Sequence, residues 1–242
     1  DLRMPAGRGA APAGPVGLML AAAAAAPVSP ALATVLWGGG VILHVYVAGT
    51  LLRELAGMPP DGRPATASLL LPFAGQIAAP LAGVDLGMAL VSGALFWSGV
   101  AAWLWIAPLA LRRLARGAPP PPFLRPWTAA FLAPPALAVA AADRLGPEGG
   151  LAPLFFLAAC VTLFALVARA GWLVEGGWTL GWGALPFPAA CFALACVTMA
   201  ERHVGPAWDW AAAAALTLAT LLALHVALRA FTDWVRGRLP PG

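Results

Sequence analysis

Few side chains in this sequence could do covalent or acid–base chemistry. The candidates are His44, His225, Gln76, Cys160, Cys191 and Cys196, all set in apolar runs. A histidine can ligate a metal or carry a proton, but inside an apolar helix a hydrogen bond to a neighbouring helix is the simpler account. No two cysteines have metal-ligand spacing with a histidine nearby, so the three read as small buried hydrophobes. Nothing reads as a nucleophile with its base, a phosphate loop or a zinc site. These residues point away from an enzyme, and they call for no cofactor and no metal. The unusual signal lies in the backbone. At Leu185–Ala195 the chain reads LPFPAACFALA, with Phe187 between Pro186 and Pro188. A proline inside a helix removes a hydrogen bond and costs about 3 kcal/mol.

The elements that carry these residues belong in lipid. Of 242 residues, 61% are hydrophobic and 10% charged, with a mean hydropathy of +0.84; soluble domains average about 25% charged. The net charge of +4 comes from arginine alone. The arginines sit at the ends of apolar runs and form no separate basic domain, which favours membrane topology and gives no reason to expect a nucleic-acid partner. No cleavable signal peptide is recognisable, and the chain starts at Asp1 without a methionine, as a fragment would.

Apolar runs predict eight spans at roughly residues 12–27, 31–53, 66–83, 86–111, 127–142, 151–174, 179–199 and 208–232. Arg3, Arg8, Arg53, Arg63, Arg112, Arg113, Arg116, Arg125, Arg169, Arg229, Arg236 and Arg238 fall on one side of that arrangement, and only Arg144 and Arg202 on the other. The positive-inside rule then places both termini in the cytoplasm. The chain reads as a single transmembrane domain over residues 1–242, with a cytoplasmic segment up to about residue 11 and a cytoplasmic tail from about residue 233.

Odd spans carry proline and glycine in their interiors, as in LLPFAGQIAAPLAG and FLAPPALAVAAA; even spans are smoother and end in arginine. The unit is a helical hairpin used four times. Irregular backbone at membrane depth is tolerated where it is buried in protein or lines a cavity. The expected fold is therefore all-α and integral to the membrane, with kinked odd helices inside and straight even helices outside. The odd spans hold no charged residue in their interiors, and Gln76 is their clear mid-span polar side chain. Such a lining is poorly equipped for proton coupling and suits a passive channel or weakly coupled carrier. With no acidic ring to concentrate cations and with arginines at the mouth, the permeant species would be an anion. Trp37, Trp127, Trp172, Trp178 and Trp208 near span ends fit an aromatic belt, whereas Trp97, Trp103 and Trp105 sit mid-span.

Three stretches, LLPFAGQIAAPLAGVDLG (70–87), FLAPPALAVAAAD (131–143) and LGWGALPFPAACFALA (180–195), resemble in order and separation the tellurite-resistance/dicarboxylate transporter family. That family includes the bacterial TehA proteins, the fungal malate transporter and the plant slow-type anion channels. The resemblance runs from about residue 11 to near the C-terminus. It implies five helical hairpins around a central pore, a homotrimer, and an anion pathway through each protomer, in a bacterial cytoplasmic (inner) membrane. It also implies that a phenylalanine plugs the pore, and the matching residue is Phe187. On this reading Pro15, Gly17, Pro72, Gly75, Gln76, Pro80, Pro134, Pro135, Pro186 and Pro188 line the path. The permeant species would be a small inorganic anion or an organic dicarboxylate. Two departures accompany the resemblance: eight spans stand where the family has ten, the first hairpin being the one without a counterpart, and Pro186 replaces a small hydroxyl residue. The alternative is a non-conducting structural or assembly subunit, or a truncated inactive member.

Overall fold

The computed structural model describes residues 11–58, 66–117, 119–146 and 150–238. The expected N-terminal segment up to residue 10, Arg63 and the last four residues lie outside them. Among the described residues there are helices and turns and no strand. Ten α-helices follow in order: α1 (Ala13–Ala25), α2 (Pro30–Ala56), α3 (Leu70–Ala74), α4 (Pro80–Gly83), α5 (Ala89–Ala115), α6 (Ala133–Leu145), α7 (Leu151–Ala168), α8 (Ala170–Leu173), α9 (Pro186–Arg202) and α10 (Pro206–Val235).

Five apolar stretches are long enough to cross a bilayer: α2, α5, α7, α10 and the continuous stretch Gly181–Arg202 that contains α9. At 1.5 Å per residue, the 27 residues of α2 or α5 exceed the roughly 30 Å of a hydrocarbon core. The local chemistry fits. Ser29 caps α2 by accepting from the Leu32 N–H at 3.3 Å, Pro30 takes the first helical position, and Arg53 stands in the last turn. Pro206 opens α10 in the same way, with Asp209 in its first turn.

Of the stretches expected to be kinked, the first is the continuous helix α1, and the third, fifth and seventh are not continuous α-helices. The third runs as a 3-10 turn (Ala67–Leu69), α3, a second 3-10 turn (Gly75–Ala78) and α4. The fifth is a ten-residue 3-10 segment (Pro122–Phe131) leading into α6, and the seventh a 3-10 turn (Leu180–Ala184) leading into α9. The break in each case is a junction and not a bend within one helix. Pro80, Pro134, Pro135 and Pro186 lie in the first turn of a new helix, and Pro188 follows two residues after Pro186. Amide hydrogens in a first turn lack an intrahelical acceptor anyway, so proline costs little there. That is why the LPFP stretch tolerates two of them.

Burial separates the two kinds of element. In α6, every residue from Ala133 to Ala141 is buried, as is Ile77 through Gly83 in the third stretch. The most apolar window of Gly181–Arg202 is 44% buried, against 22% for α2 and α5 and 17% for α7 and α10. One main core joins Val16 and Met19 of α1, Ile77 to Ala79, Phe96 of α5, α6, and Cys191 and Met199 of α9. The first stretch departs from the expectation for odd spans, because it is a single unbroken helix with Pro15 in its first turn. Helix α1 buries Pro15 and Met19 against α2 and Val16 against Gly75 of the third stretch, but leaves Gly14 and Gly17 exposed, with nothing within 4 Å of a Cβ at either.

Neighbours in sequence pack together, α1 on α2, α6 on α7 and α9 on α10, and α6 also packs on α9. The backbones approach closely enough that some glycines admit no Cβ. At Gly99 a Cβ would lie 2.8 Å from Ile77 Cγ1, and at Gly83 it would lie 2.8 Å from the Trp37 ring and collide with Ser92 Oγ. Trp37 is not part of an interfacial belt. It is buried, and its indole N–H donates to the Ala79 carbonyl at 2.8 Å, satisfying a backbone acceptor just before the α4 proline. Trp97 and Trp105 are exposed on the outer face of α5, where lipid would meet them.

Candidate functional site

The three 3-10 lead-ins meet at one end of the molecule. Thr179 Oγ1 donates to the Phe123 carbonyl at 3.2 Å, and a Cβ at Gly176 would come within 2.8 Å of the Pro122 carbonyl, so the fifth and seventh lead-ins stand back to back. Trp178 ties the seventh lead-in to the end of α10 by donating to Asp233 Oδ2 at 2.7 Å. The ring of Trp178 also faces Trp182 and His225. Thus His225 sits in an aromatic cluster on the flank of this end.

Where the lead-ins turn into helices they enclose a cavity of about 230 Å³. Its wall is Ala13 of α1; Ser68, Leu70, Leu71, Ala74 and Gly75 of the third stretch; Trp127, Ala130, Ala133, Pro134 and Leu137 of the fifth; and Gly183, Ala184, Phe187 and Pro188 of the seventh. Four of the residues singled out from the sequence are brought together here: Gly75, Pro134, Phe187 and Pro188. Phe187 is half-buried, with its ring against the main core and the cavity.

The other expected lining residues lie outside this wall. Pro15 is buried against α2, where its carbonyl would be 2.9 Å from a Cβ on Gly40, and Gly17 is exposed. Pro72, Pro80 and Pro135 are buried in the packing, and Pro186 is half-buried at the start of α9. The Gln76 amide donates to Ser98 Oγ of α5 at 2.9 Å. His44 is buried, and a Cβ on Gly75 would meet its Cε1 at 2.9 Å. His44 lies beside the Pro72 backbone of the third stretch, as an interhelical contact would, but neither ring nitrogen reaches normal hydrogen-bond geometry among the described residues.

The cavity is nearly apolar, with Ser68 supplying its one side-chain hydroxyl. Charge is carried around it. Arg53, Arg112 and Arg113 occupy the last turns of α2 and α5, and Arg169 follows α7. Arg125 pairs with Glu175 and lies 4.9 Å over the Trp172 ring, and Arg229 stands 3.8 Å from Asp233. At the opposite end both arginines are paired. Arg144 reaches Asp85 at 2.9 Å and Arg202 pairs with Asp143, each pair joining the ends of two broken stretches across 59 residues of sequence. The two arginines that stand against the sidedness of the other twelve are thus both matched by carboxylates.

Five bilayer-length apolar stretches among the described residues, four of them straight helices and the fifth the broken Gly181–Arg202, define an α-helical integral membrane protein. The sequence matches, over residues 1–231, the model of the SLAC1 family, described as voltage-dependent anion channel, and the chain belongs to that family. It is therefore a member of a family of anion channels and transporters, and the resemblance drawn from the three motifs holds at that level. No curated protein matches the chain.

Proposed function

We propose that this protein passes small anions across the membrane through the cavity between the broken stretches, and that the Phe187 ring closes the path. The observation that carries the reading is the convergence of Gly75, Pro134, Phe187 and Pro188, from three separate broken stretches, on the same cavity of about 230 Å³. The two-ring arrangement expected from the sequence supports it. Most of the irregular backbone is buried, as it must be in lipid, while α2, α5, α7 and α10 present the outer surface. The cytoplasm is assigned to the end that holds the cavity and most of the arginines, and those charges raise the local anion concentration at the mouth.

The lining itself favours throughput over capture. Conduction needs a site that an ion can leave as easily as it enters. One serine hydroxyl among alanine, leucine, glycine and proline makes a weak anion site. Without a titratable group in the wall, flux follows the electrochemical gradient and is not coupled to protons. The permeant class is a small inorganic anion or an organic dicarboxylate, and the homotrimer implied by the resemblance would carry one such path per protomer.

The test is anion efflux from liposomes containing the purified protein. Phe187→Ala is expected to raise flux at least about tenfold, equivalent to lowering the barrier by about 1.4 kcal/mol, while Phe187→Trp leaves it closed. Equal flux from correctly inserted wild type and Phe187→Ala would remove the gate. No flux from either would favour the non-conducting membrane subunit.

A further inference from the structure

Two apolar grooves lie between the outer helices, and they differ in one respect. The first, of about 510 Å³, runs between α7, α9 and α10 and has no charged residue in its wall. The second, of about 560 Å³, runs between α5 and α7, with Trp103, Ala107 and Leu114 on one side, Val161 and Ala165 on the other, and Arg169 with Trp172 at one end. We propose that this second groove is a binding site for one anionic phospholipid, with an acyl chain between α5 and α7 and the phosphate on Arg169.

Length, chemistry and charge argue for that occupant. From Trp103 to Leu114 the wall on α5 extends about 16 Å at 1.5 Å per residue, close to one leaflet of a hydrocarbon core about 30 Å thick. The wall carries two hydroxyls: that of Thr162 donates to the Ala158 carbonyl at 2.8 Å, and Thr128 is buried at the base of the groove, so most of the surface is apolar. A straight apolar chain fits such a surface.

The charged end lies where a headgroup belongs. Arg169 immediately follows α7, is exposed, and forms no ion pair among the described residues. Arg112, Arg113 and Arg116 close α5 on the same side of the membrane. Arg125, by contrast, is matched by Glu175 and lies over Trp172, which leaves Arg169 as the groove's cation without an ion pair among the described residues. A guanidinium with free donors at the mouth of an interhelical groove is complementary to a phosphodiester.

The site can be tested by native mass spectrometry of the whole protein released from micelles containing phosphatidylglycerol and phosphatidylcholine with identical chains. Wild type is expected to retain one phosphatidylglycerol with about a fivefold preference, the selectivity one arginine near a membrane surface contributes. Arg169→Gln should bring the preference close to one, and Ala165→Trp, which fills the groove, should abolish retention of either lipid. Ala215→Trp in the uncharged groove should leave the preference intact and controls for general disturbance of the fold. No preference in wild type, an undiminished preference in Arg169→Gln, or full retention in Ala165→Trp would each overturn the proposal. So would displacement of the lipid by inorganic phosphate, which would leave the acyl chain no part in binding. Ala165→Trp lowering the oligomeric state with no change in bound lipid would assign the groove to a second copy of the chain instead.

Discussion

The third stretch, Ala67–Gly83, and helix α5, Ala89–Ala115, are consecutive, comparably apolar and packed together, yet they are built on opposite plans. The third is four short helical pieces with nearly all of its backbone buried; α5 is one helix that runs through Pro108 with its outer residues bare. The difference shows where a membrane protein can tolerate disorder in its hydrogen-bond ladder. Against lipid, each freed backbone group costs several kcal/mol. Inside the protein a neighbour can satisfy it, as the Trp37 indole satisfies the Ala79 carbonyl. Broken backbone thus becomes available for shaping a cavity only after straight helices have enclosed it.

The comparison can be broken most directly at its aromatic residues. Phe187→Ala in the broken region should raise anion flux about tenfold or more, whereas Phe164→Ala on the exposed face of α7, where the ring is 78% exposed, should leave flux unchanged. Similar responses from both would mean that the cavity has no privileged role.

Glycine substitutions sharpen the contrast in stability. Gly83→Ala forces a Cβ into Trp37 and Ser92, an overpacking expected to cost about 1–3 kcal/mol and visible as a lower melting temperature. Gly39→Ala, in a helix interior with nothing within 4 Å of the new methyl, should stabilise by about 0.5–1 kcal/mol. If both substitutions lowered the melting temperature equally, close packing would not be special to the broken stretches.

His44 joins the two regions, lying on α2 against Gly75. Its nitrogens make no hydrogen bond of normal geometry although the Pro72 backbone lies beside them, so leucine in its place should stabilise by no more than about 1 kcal/mol, because poorly satisfied buried polar groups cost about 1–3 kcal/mol. A lower melting temperature in His44→Leu would reveal a polar role. The smallest effect belongs to the ion pairs. Asp143→Asn, at a half-buried pair joining α6 to α9, should cost about 1 kcal/mol or less and lose its effect at high salt. Arg229→Gln, at the more exposed contact within α10, should cost less still.

How legible was the site? The sequence separated broken from smooth stretches because proline and glycine are local signals. It placed Gly75, Pro134 and Pro188 among candidate lining residues on that basis, and the resemblance singled out Phe187. It gave no means to choose these four over Pro72, Pro80 or Gln76, because which side of a short 3-10 turn faces a cavity depends on the packing of its neighbours. Ser68, Leu71 and Leu137 carry no sequence mark that separates them from other span residues. The pairs Asp85–Arg144 and Asp143–Arg202 did leave a signal, a recurrence of opposite charges at the ends of broken stretches. Trp37 misled, since a tryptophan near a span end looks alike whether it meets the interface or a buried carbonyl.

Composition and the placement of prolines and glycines were enough to indicate the lipid solvent and the helical class, because these follow from transfer free energies and local backbone geometry; the family came from the resemblance of three motifs. Tertiary structure alone decided that the prolines begin helices instead of bending them, that three lead-ins meet around a cavity with Phe187 in its wall, and that one outer groove ends in an unmatched arginine. Those outcomes depend on contacts between residues far apart in the chain, and no local pattern encodes which distant surface a side chain will meet.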